Sequence, residues 1–308
     1  MANPPLKGVI AYPVTPFEPG TGEVDQAALR RLTGELVDAG SHGIAPLGST
    51  GESAYLRDDE WETVCATTLE AVAGRVPTLV GVSHWSTEGT VRRARAAARH
   101  GATAIMVLPQ VYWKLTEPEL FQHFAAVAAA TDLPVMLYNN PGTSGIDLPP
   151  ETVAALAREI PTITMVKESS GDAARFGAIR ELSGGALSVY NGSNPLALEA
   201  LRSGAAGWCT AAPCLVPRWC LELYAAADER GQRADAVLAE LLPFLRFIVR
   251  HGLPRTIKAG LELQDRKAGV PRAPLLPLPG KEVDELRALL VRLDSHPLLD
   301  GAAAGPAV

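Results

Sequence analysis

Thr162-Ile163-Thr164-Met165-Val166-Lys167, followed by Glu168-Ser169-Ser170-Gly171-Asp172, reads as a buried β-strand that ends at a lysine and opens into a polar loop. The chain has six lysines, and most of its 28 basic residues are arginine, so a lysine at the mouth of an apolar strand is an unusual use of that residue. Two readings are open. Lys167 is a charge leaving the strand end for solvent, or its amine is a nucleophile. Burial disfavours an ammonium and frees the lone pair, which can then attack a carbonyl and form a Schiff base. The choice depends on where the strand end sits in the fold.

Working outward from this strand, short apolar runs alternate with amphipathic helical runs as far as about residue 230. The expected strands are 9–14, 43–47, 78–82, 103–108, 134–139, 162–167, 187–191 and 206–210. Such alternation is the signature of an α/β protein with a parallel sheet, and eight units predict a closed (β/α)8 TIM barrel. Asp25 is placed to cap a helix that turns Leu29, Leu32 and Leu36 to one side, and Trp61, Val64, Cys65 and Leu69 mark the next helix. Gly40, Gly101 and Gly204 each stand between a helix and a strand, where a left-handed residue stops the helix.

The alternation gives way to helix alone at about residue 232. Residues 1–231 therefore read as the catalytic barrel and 232–295 as a C-terminal helical extension. Its helical runs are 236–250, 256–263 and a last one with Val283, Leu286, Leu289, Leu290 and Leu293 inward. The Ala- and Gly-rich tail, 296–308, is expected to be poorly ordered.

Composition narrows the chemistry. At 308 residues, 47% hydrophobic and 20% charged, the chain is long enough for one large globular domain or two smaller ones. A net charge of −6 and the lack of a basic run interleaved with aromatics argue against nucleic acid as a principal partner. Cys65, Cys209, Cys214 and Cys220 have neither CxxC spacing nor a histidine in ligand register, so reduced core thiols are expected and no metal. Neither a GxxxxGK[ST] nor a GxGxxG loop is present, so no nucleotide cofactor is expected. No apolar stretch approaches a membrane span and no signal-peptide pattern opens the chain; a cytoplasmic enzyme acting on small molecules is the expectation.

In a parallel barrel the C-terminal strand ends converge on one face and carry the chemistry. The second strand runs into Gly48-Ser49-Thr50-Gly51-Glu52, where two hydroxyls lie between glycines that let backbone amides approach an anion, most naturally a carboxylate. The fifth ends at Tyr138-Asn139-Asn140-Pro141-Gly142 and the sixth at Lys167. Tyr138 is a candidate proton carrier, and the Thr50 hydroxyl a candidate to complete its relay. Taken singly, Gly-Ser-Thr-Gly is a common loop and Tyr138 an ordinary strand aromatic. Together they point to a site.

As a set, Gly48-Ser49-Thr50-Gly51-Glu52, Tyr138-Asn139-Asn140-Pro141 and Val166-Lys167-Glu168-Ser169 resemble the aldolases and lyases grouped with N-acetylneuraminate lyase and dihydrodipicolinate synthase, over residues 6–295. The resemblance implies a (β/α)8 barrel with a helical extension, assembled as a homotetramer or dimer. It implies that Lys167 forms a Schiff base with a 2-oxo acid such as pyruvate. Tyr138 would shuttle protons, and Ser49, Thr50 and Gly51 would hold the carboxylate.

Departures from the family limit the substrate. Thr143 stands where the dihydrodipicolinate synthase branch carries an arginine for the carboxylate of its semialdehyde, so that synthesis is not expected here. Tyr112, beside Trp113, lies one residue late for the tyrosine that completes the relay across a subunit interface; relay residue and packing aromatic are both open. Asn191, Gly192, Ser193 and Asn194 resemble the segment that faces substrate hydroxyls in the neuraminate lyase branch but lack its acidic pair. Ser169 is a further candidate contact, and Trp85, Trp113 and Trp208 are candidates for an aromatic acceptor pocket. Three functions remain: an aldolase or lyase acting on a 4-hydroxy-2-oxo acid, a dehydratase or hydratase-aldolase acting on a 2-oxo-3-deoxy acid, and a 2-oxo-acid-binding barrel without turnover.

Overall fold

Eight short apolar runs are too brief to bury their edges alone, and each becomes stable by pairing with the next unit along the chain. The computed structural model describes residues 6–109, 112–227 and 231–299. Its strands are β1 (Gly8–Ala11), β2 (Gly43–Ile44), β3 (Leu79–Gly81), β4 (Ala104–Val107), β5 (Val135–Asn139), β6 (Ile163–Glu168), β7 (Ser188–Asn191) and β8 (Gly207–Thr210). All pair in parallel in the order β2-β1-β8-β7-β6-β5-β4-β3. A parallel bridge between Ile44 and Thr78, with hydrogen bonds from Ile44 N to Pro77 O and from Gly81 N to Pro46 O, joins β2 to β3 and closes the ring. The architecture is the expected (β/α)8 barrel.

Most strands are a residue shorter at one or both ends than expected, and two stop well short. β1 stops at Ala11, and Pro13 follows with no N–H to donate to a ladder. β2 stops at Ile44, where Pro46 and a left-handed Leu47 (φ +63°) turn the chain toward the glycine loop. β6 instead runs one residue past Lys167, because Glu168 pairs with Asn139 and Asn191.

The helix stripes bury as read. Asp25 caps Gln26–Asp38 by accepting from Ala28 N at 2.9 Å, and Leu29, Leu32 and Leu36 are buried. Gly40, Gly101 and Gly204 all have positive φ. Outside the barrel, Val80, Ile105, Leu137 and Val166 pack with Trp61, Phe124 and Phe176 from the surrounding helices.

The extension comprises helices Arg233–His251, Leu253–Leu263 and Gly280–Asp294. Phe244, Ile257 and Leu286 from it share one continuous core with the barrel residues Ile10, Met106 and Trp208. Leu286 is fully buried, which contributes roughly 2 kcal/mol. Past the last helix, Pro297–Leu299 forms a short turn with Leu299 buried, and Arg218 donates to the Leu299 carbonyl at 2.9 Å. The remainder of the expected tail, 300–308, lies outside the described residues. Among the described residues no helix is long and apolar enough to cross a membrane.

Candidate active site

Side chains alternate across a strand, and β5 and β6 use the alternation to separate chemistry from support. Tyr138 pairs with Lys167 in register, and Lys167 with Tyr190, so these three form one level of the barrel interior. Lys167 is only 6% exposed. Its Nζ lies 4.1 Å from the ring centroid of Tyr138 and 4.1 Å from that of Tyr12, so the amine sits between two aromatic faces. It does not leave for solvent.

Asn139 and Glu168, the next residue on each strand, form the supporting pair. Asn139 Nδ2 donates to Glu168 Oε2 at 2.9 Å and to Asp147 at 3.2 Å, while Asn139 Oδ1 accepts from Leu148 N at 3.0 Å. Ser170 N donates to the other Glu168 oxygen at 2.5 Å. Arg175 grips Asp147 with two 2.6 Å hydrogen bonds, and this pairing holds the Asp147 carboxyl below its ordinary range despite partial desolvation. A buried polar group left without partners costs about 1–3 kcal/mol, so this network fixes both strand ends from behind.

The Tyr138 hydroxyl accepts from Asn140 Nδ2 at 2.7 Å. Among the described residues no hydrogen bond joins it to Thr50. Tyr138 also lines a cavity of about 100 Å³ together with Gly48, Ser49, Ser83, Met106 and Thr143. Among the described residues its lining includes neither Lys167 nor Thr50, so the cavity adjoins the lysine through Tyr138. Thr50 is buried, and among the described residues neither its N–H nor its hydroxyl has a hydrogen-bond partner in the chain. Gly51 is fixed from below, where Thr15 Oγ1 donates to its carbonyl at 2.6 Å. Free donors in a glycine-flanked turn suit an anion. Among the described residues, Glu52 is the only charged one lining the cavity.

Gly192 has a steric reason to be glycine. A Cβ there would overlap Ser169 Oγ and stand 2.6 Å from Lys167 Cε. Ser169 Oγ is buried beside the lysine stem with no hydrogen-bond partner among the described residues. Asn191 is fully buried and engages Ser193, accepting from its N–H at 3.0 Å and donating to its carbonyl at 3.1 Å, so it shapes the loop after β7. Asn194 Oδ1 accepts from Trp208 Nε1 at 3.1 Å, which commits both side chains to packing. Trp85 and Trp113 are exposed while Trp208 is wholly buried, so the three tryptophans form no common pocket. Tyr112 is 96% exposed and does not line the cavity of its own chain.

Tyr12 was not singled out by sequence reasoning, yet it touches the candidate nucleophile. Its hydroxyl donates to Met106 Sδ at 3.2 Å, and a Cβ on Gly48 would meet its ring at 2.9 Å, so the ring separates the amine from the base of the glycine loop. Burial, reinforced by neighbouring Cys209, pushes the Tyr12 phenol well above its ordinary value, so its proton stays on. Arrangement in space is the only signal for this residue. A wider groove of about 380 Å³ lies between residues 215–219 of the barrel and residues 263–264 and 287–299 of the extension; among the described residues its lining includes no lysine or tyrosine.

Residues 5–293 match the model of the dihydrodipicolinate synthetase family. The chain is 37% identical over 274 residues to the 4-hydroxy-tetrahydrodipicolinate synthase of Mycobacterium leprae, covering 89% of this chain and 90% of that one. A crystal structure of a putative dihydrodipicolinate synthetase from Pseudomonas aeruginosa superposes with a TM-score of 0.92 at 51% identity, covering 94% of this chain and 100% of that one. The chloride-inhibited dihydrodipicolinate synthase of Acinetobacter baumannii, solved in complex with pyruvate, has a TM-score of 0.90 at 30% identity, over 94% of this chain and 99% of that one. The chain belongs to the dihydrodipicolinate synthetase family and is a Schiff-base aldolase-type lyase.

Proposed function

We propose that Lys167 forms a Schiff base with pyruvate or another small 2-oxo acid and that the enzyme reversibly makes or cleaves a 4-hydroxy-2-oxo acid. The observation that carries this reading is the Lys167 amine held between the Tyr12 and Tyr138 rings. Condensation of the amine with the 2-oxo carbon releases water and leaves an iminium. In that step Tyr138 gives its proton to the departing hydroxyl; its phenolate then takes the proton from the C–H bond beside the iminium, and the resulting enamine attacks an aldehyde carbon. Tyr138 protonates the new alkoxide, and water hydrolyses the product iminium, which frees Lys167 and restores the Tyr138 proton. In the cleavage direction the same steps run backwards. Ser49, Thr50 and Gly51 hold the carboxylate of the 2-oxo acid. Thr143, Ser169, Gly192 and Ser193 line the way to the second substrate, with Asn191 shaping the loop that carries Gly192 and Ser193.

A second reading, 4-hydroxy-tetrahydrodipicolinate synthesis, is favoured by the name of the Mycobacterium leprae relative. Against it, among the described residues none lining the cavity is basic, and Thr143 lies in that lining, so the carboxylate of an incoming semialdehyde meets no cation there. Dehydration of a 2-oxo-3-deoxy acid uses the same lysine and tyrosine and differs only in the group expelled. Product analysis separates the three: pyruvate plus an aldehyde, a cyclic dicarboxylate, or a dehydrated 2-oxo acid.

The same proposal includes a homo-oligomer, tetramer or dimer, in which a second copy covers exposed Tyr112 and brings it to the relay. It also includes a cytoplasmic setting, in keeping with four buried free cysteines. The test is borohydride trapping with a panel of 2-oxo acids, read by intact mass and peptide mapping; an adduct on Lys167 supports the reading and its absence with every acid removes it.

A further inference from the structure

Glu52 closes the glycine loop and also leaves it. Its backbone is left-handed (φ +58°), and its N–H donates to Ser49 O at 3.2 Å. Glu52 lines the cavity, and its side chain meets the extension, where Lys258 Nζ lies 2.7 Å from Oε1 with the two side chains 1% and 0% exposed. Arg272 N donates to the other carboxylate oxygen at 2.6 Å. Lys258 Nζ also donates to Val270 O at 3.0 Å, and Phe17 presents its ring to Lys258 Nζ at 4.0 Å and to the Arg272 guanidinium at 4.2 Å. Phe17 N donates to Ala268 O at 3.1 Å, and the Arg272 guanidinium reaches Glu60 at 2.5 Å and the carbonyl of Gly22. The extension thus grips the loop through Glu52 and also grips the segment that includes Thr15, which holds Gly51.

A solvent-exposed ion pair would add little and could be lost without consequence. This one is sealed, and an ion pair costs so much to desolvate that apolar residues of the same volume would serve stability as well or better. Burial draws the Lys258 ammonium down to about 8, opposed by Glu52, which reflects that cost. What the pair supplies that an apolar contact cannot is direction: a carboxylate ion-paired through Oε1 and hydrogen-bonded through Oε2 sets where the preceding residues lie.

We propose that Lys258 is a positioning residue for the donor-binding loop: through Glu52, the helical extension sets the Ser49 and Thr50 donors on which the carboxylate of the 2-oxo acid rests. This rests on the reading of the cavity as a 2-oxo-acid site. Lys258 contacts no substrate; it acts through Glu52.

The test measures borohydride trapping of pyruvate on Lys167 across pyruvate concentrations, by intact mass, in the full-length protein and in two variants, Lys258→Met and Glu52→Gln/Lys258→Met. A loop misplaced by about 1 Å costs up to about 10²-fold, so both variants should raise the half-saturating pyruvate concentration at least about tenfold while the limiting rate stays within about threefold. The double variant leaves no buried charge unpaired and serves if the single one does not fold. Unchanged half-saturation in the folded double variant, whatever its melting temperature, overturns the proposal by making the pair structural only. A fall in limiting rate at unchanged half-saturation overturns it as well. No adduct in the unsubstituted protein is a separate result: it removes the 2-oxo-acid reading and this inference with it.

Discussion

Lys167 Nζ stands 4.1 Å from the ring centroids of both Tyr12 and Tyr138, so two tyrosines share one amine. Their hydroxyls differ. That of Tyr138 accepts from Asn140 beside the cavity, while that of Tyr12 is buried against Met106 and Cys209 and keeps its proton. The rings do similar work and the hydroxyls do not.

This difference predicts opposite outcomes for the same substitution. Tyr138→Phe should lower turnover by roughly 10²- to 10⁴-fold, and Tyr12→Phe should change it by less than about threefold. Steady-state kinetics on the two variants checks this; a crippled Tyr12→Phe enzyme would make Tyr12 the acid–base residue.

Gly192→Ala places a methyl group against Ser169 Oγ and 2.6 Å from Lys167 Cε, so the lysine stem has to move. Overpacking of this kind costs about 1–3 kcal/mol, and the trapping rate should fall at least about tenfold with circular dichroism unchanged. A normal trapping rate would show that the lysine does not need this space.

Thr50→Val tests whether the hydroxyl binds or relays. In the proposed reading Thr50 binds the carboxylate, so half-saturating donor should rise about tenfold and the limiting rate should hold. A limiting rate down by about 10²-fold would restore the relay role.

Lys258 gives stability a pH signature. Burial lowers its pKa from 10.5 to about 8, with Glu52 opposing and Arg272 reinforcing the fall, and Glu60 lies behind Arg272. Between those values the unfolded chain holds a proton that the folded chain has released. Stability from this group is therefore least below about pH 8, rises by up to ~1.4 kcal/mol per pH unit, and levels off once the unfolded lysine also loses its proton. Denaturation of the native protein against Glu52→Gln/Lys258→Met from pH 7 to 11 should show a steeper rise in the native protein; parallel curves would mean that Lys258 does not titrate there.

Much of this was legible in the sequence because it rests on local rules. Strand runs, helix stripes and the glycines at 40, 101 and 204 each announce themselves within a few residues, and the barrel follows from repetition. Lys167 and Tyr138 were legible because a parallel barrel brings strand ends together. Tyr12 was not, since an aromatic at a strand end does not declare what its face touches. Lys258 was hidden for a related reason: a lysine in an amphipathic helix reads as surface, and only the folded chain brings Glu52 to it. Trp208 misled because a tryptophan near a barrel mouth looks available until Asn194 is found holding its Nε1.

The central claim is that Lys167 is the covalent nucleophile, and trapping tests it most directly. Incubation with pyruvate and borohydride should add one adduct to the native protein, mapped among its six lysines to Lys167, and none to Lys167→Ala. An adduct that persists in Lys167→Ala, or none in the native protein, would contradict the account.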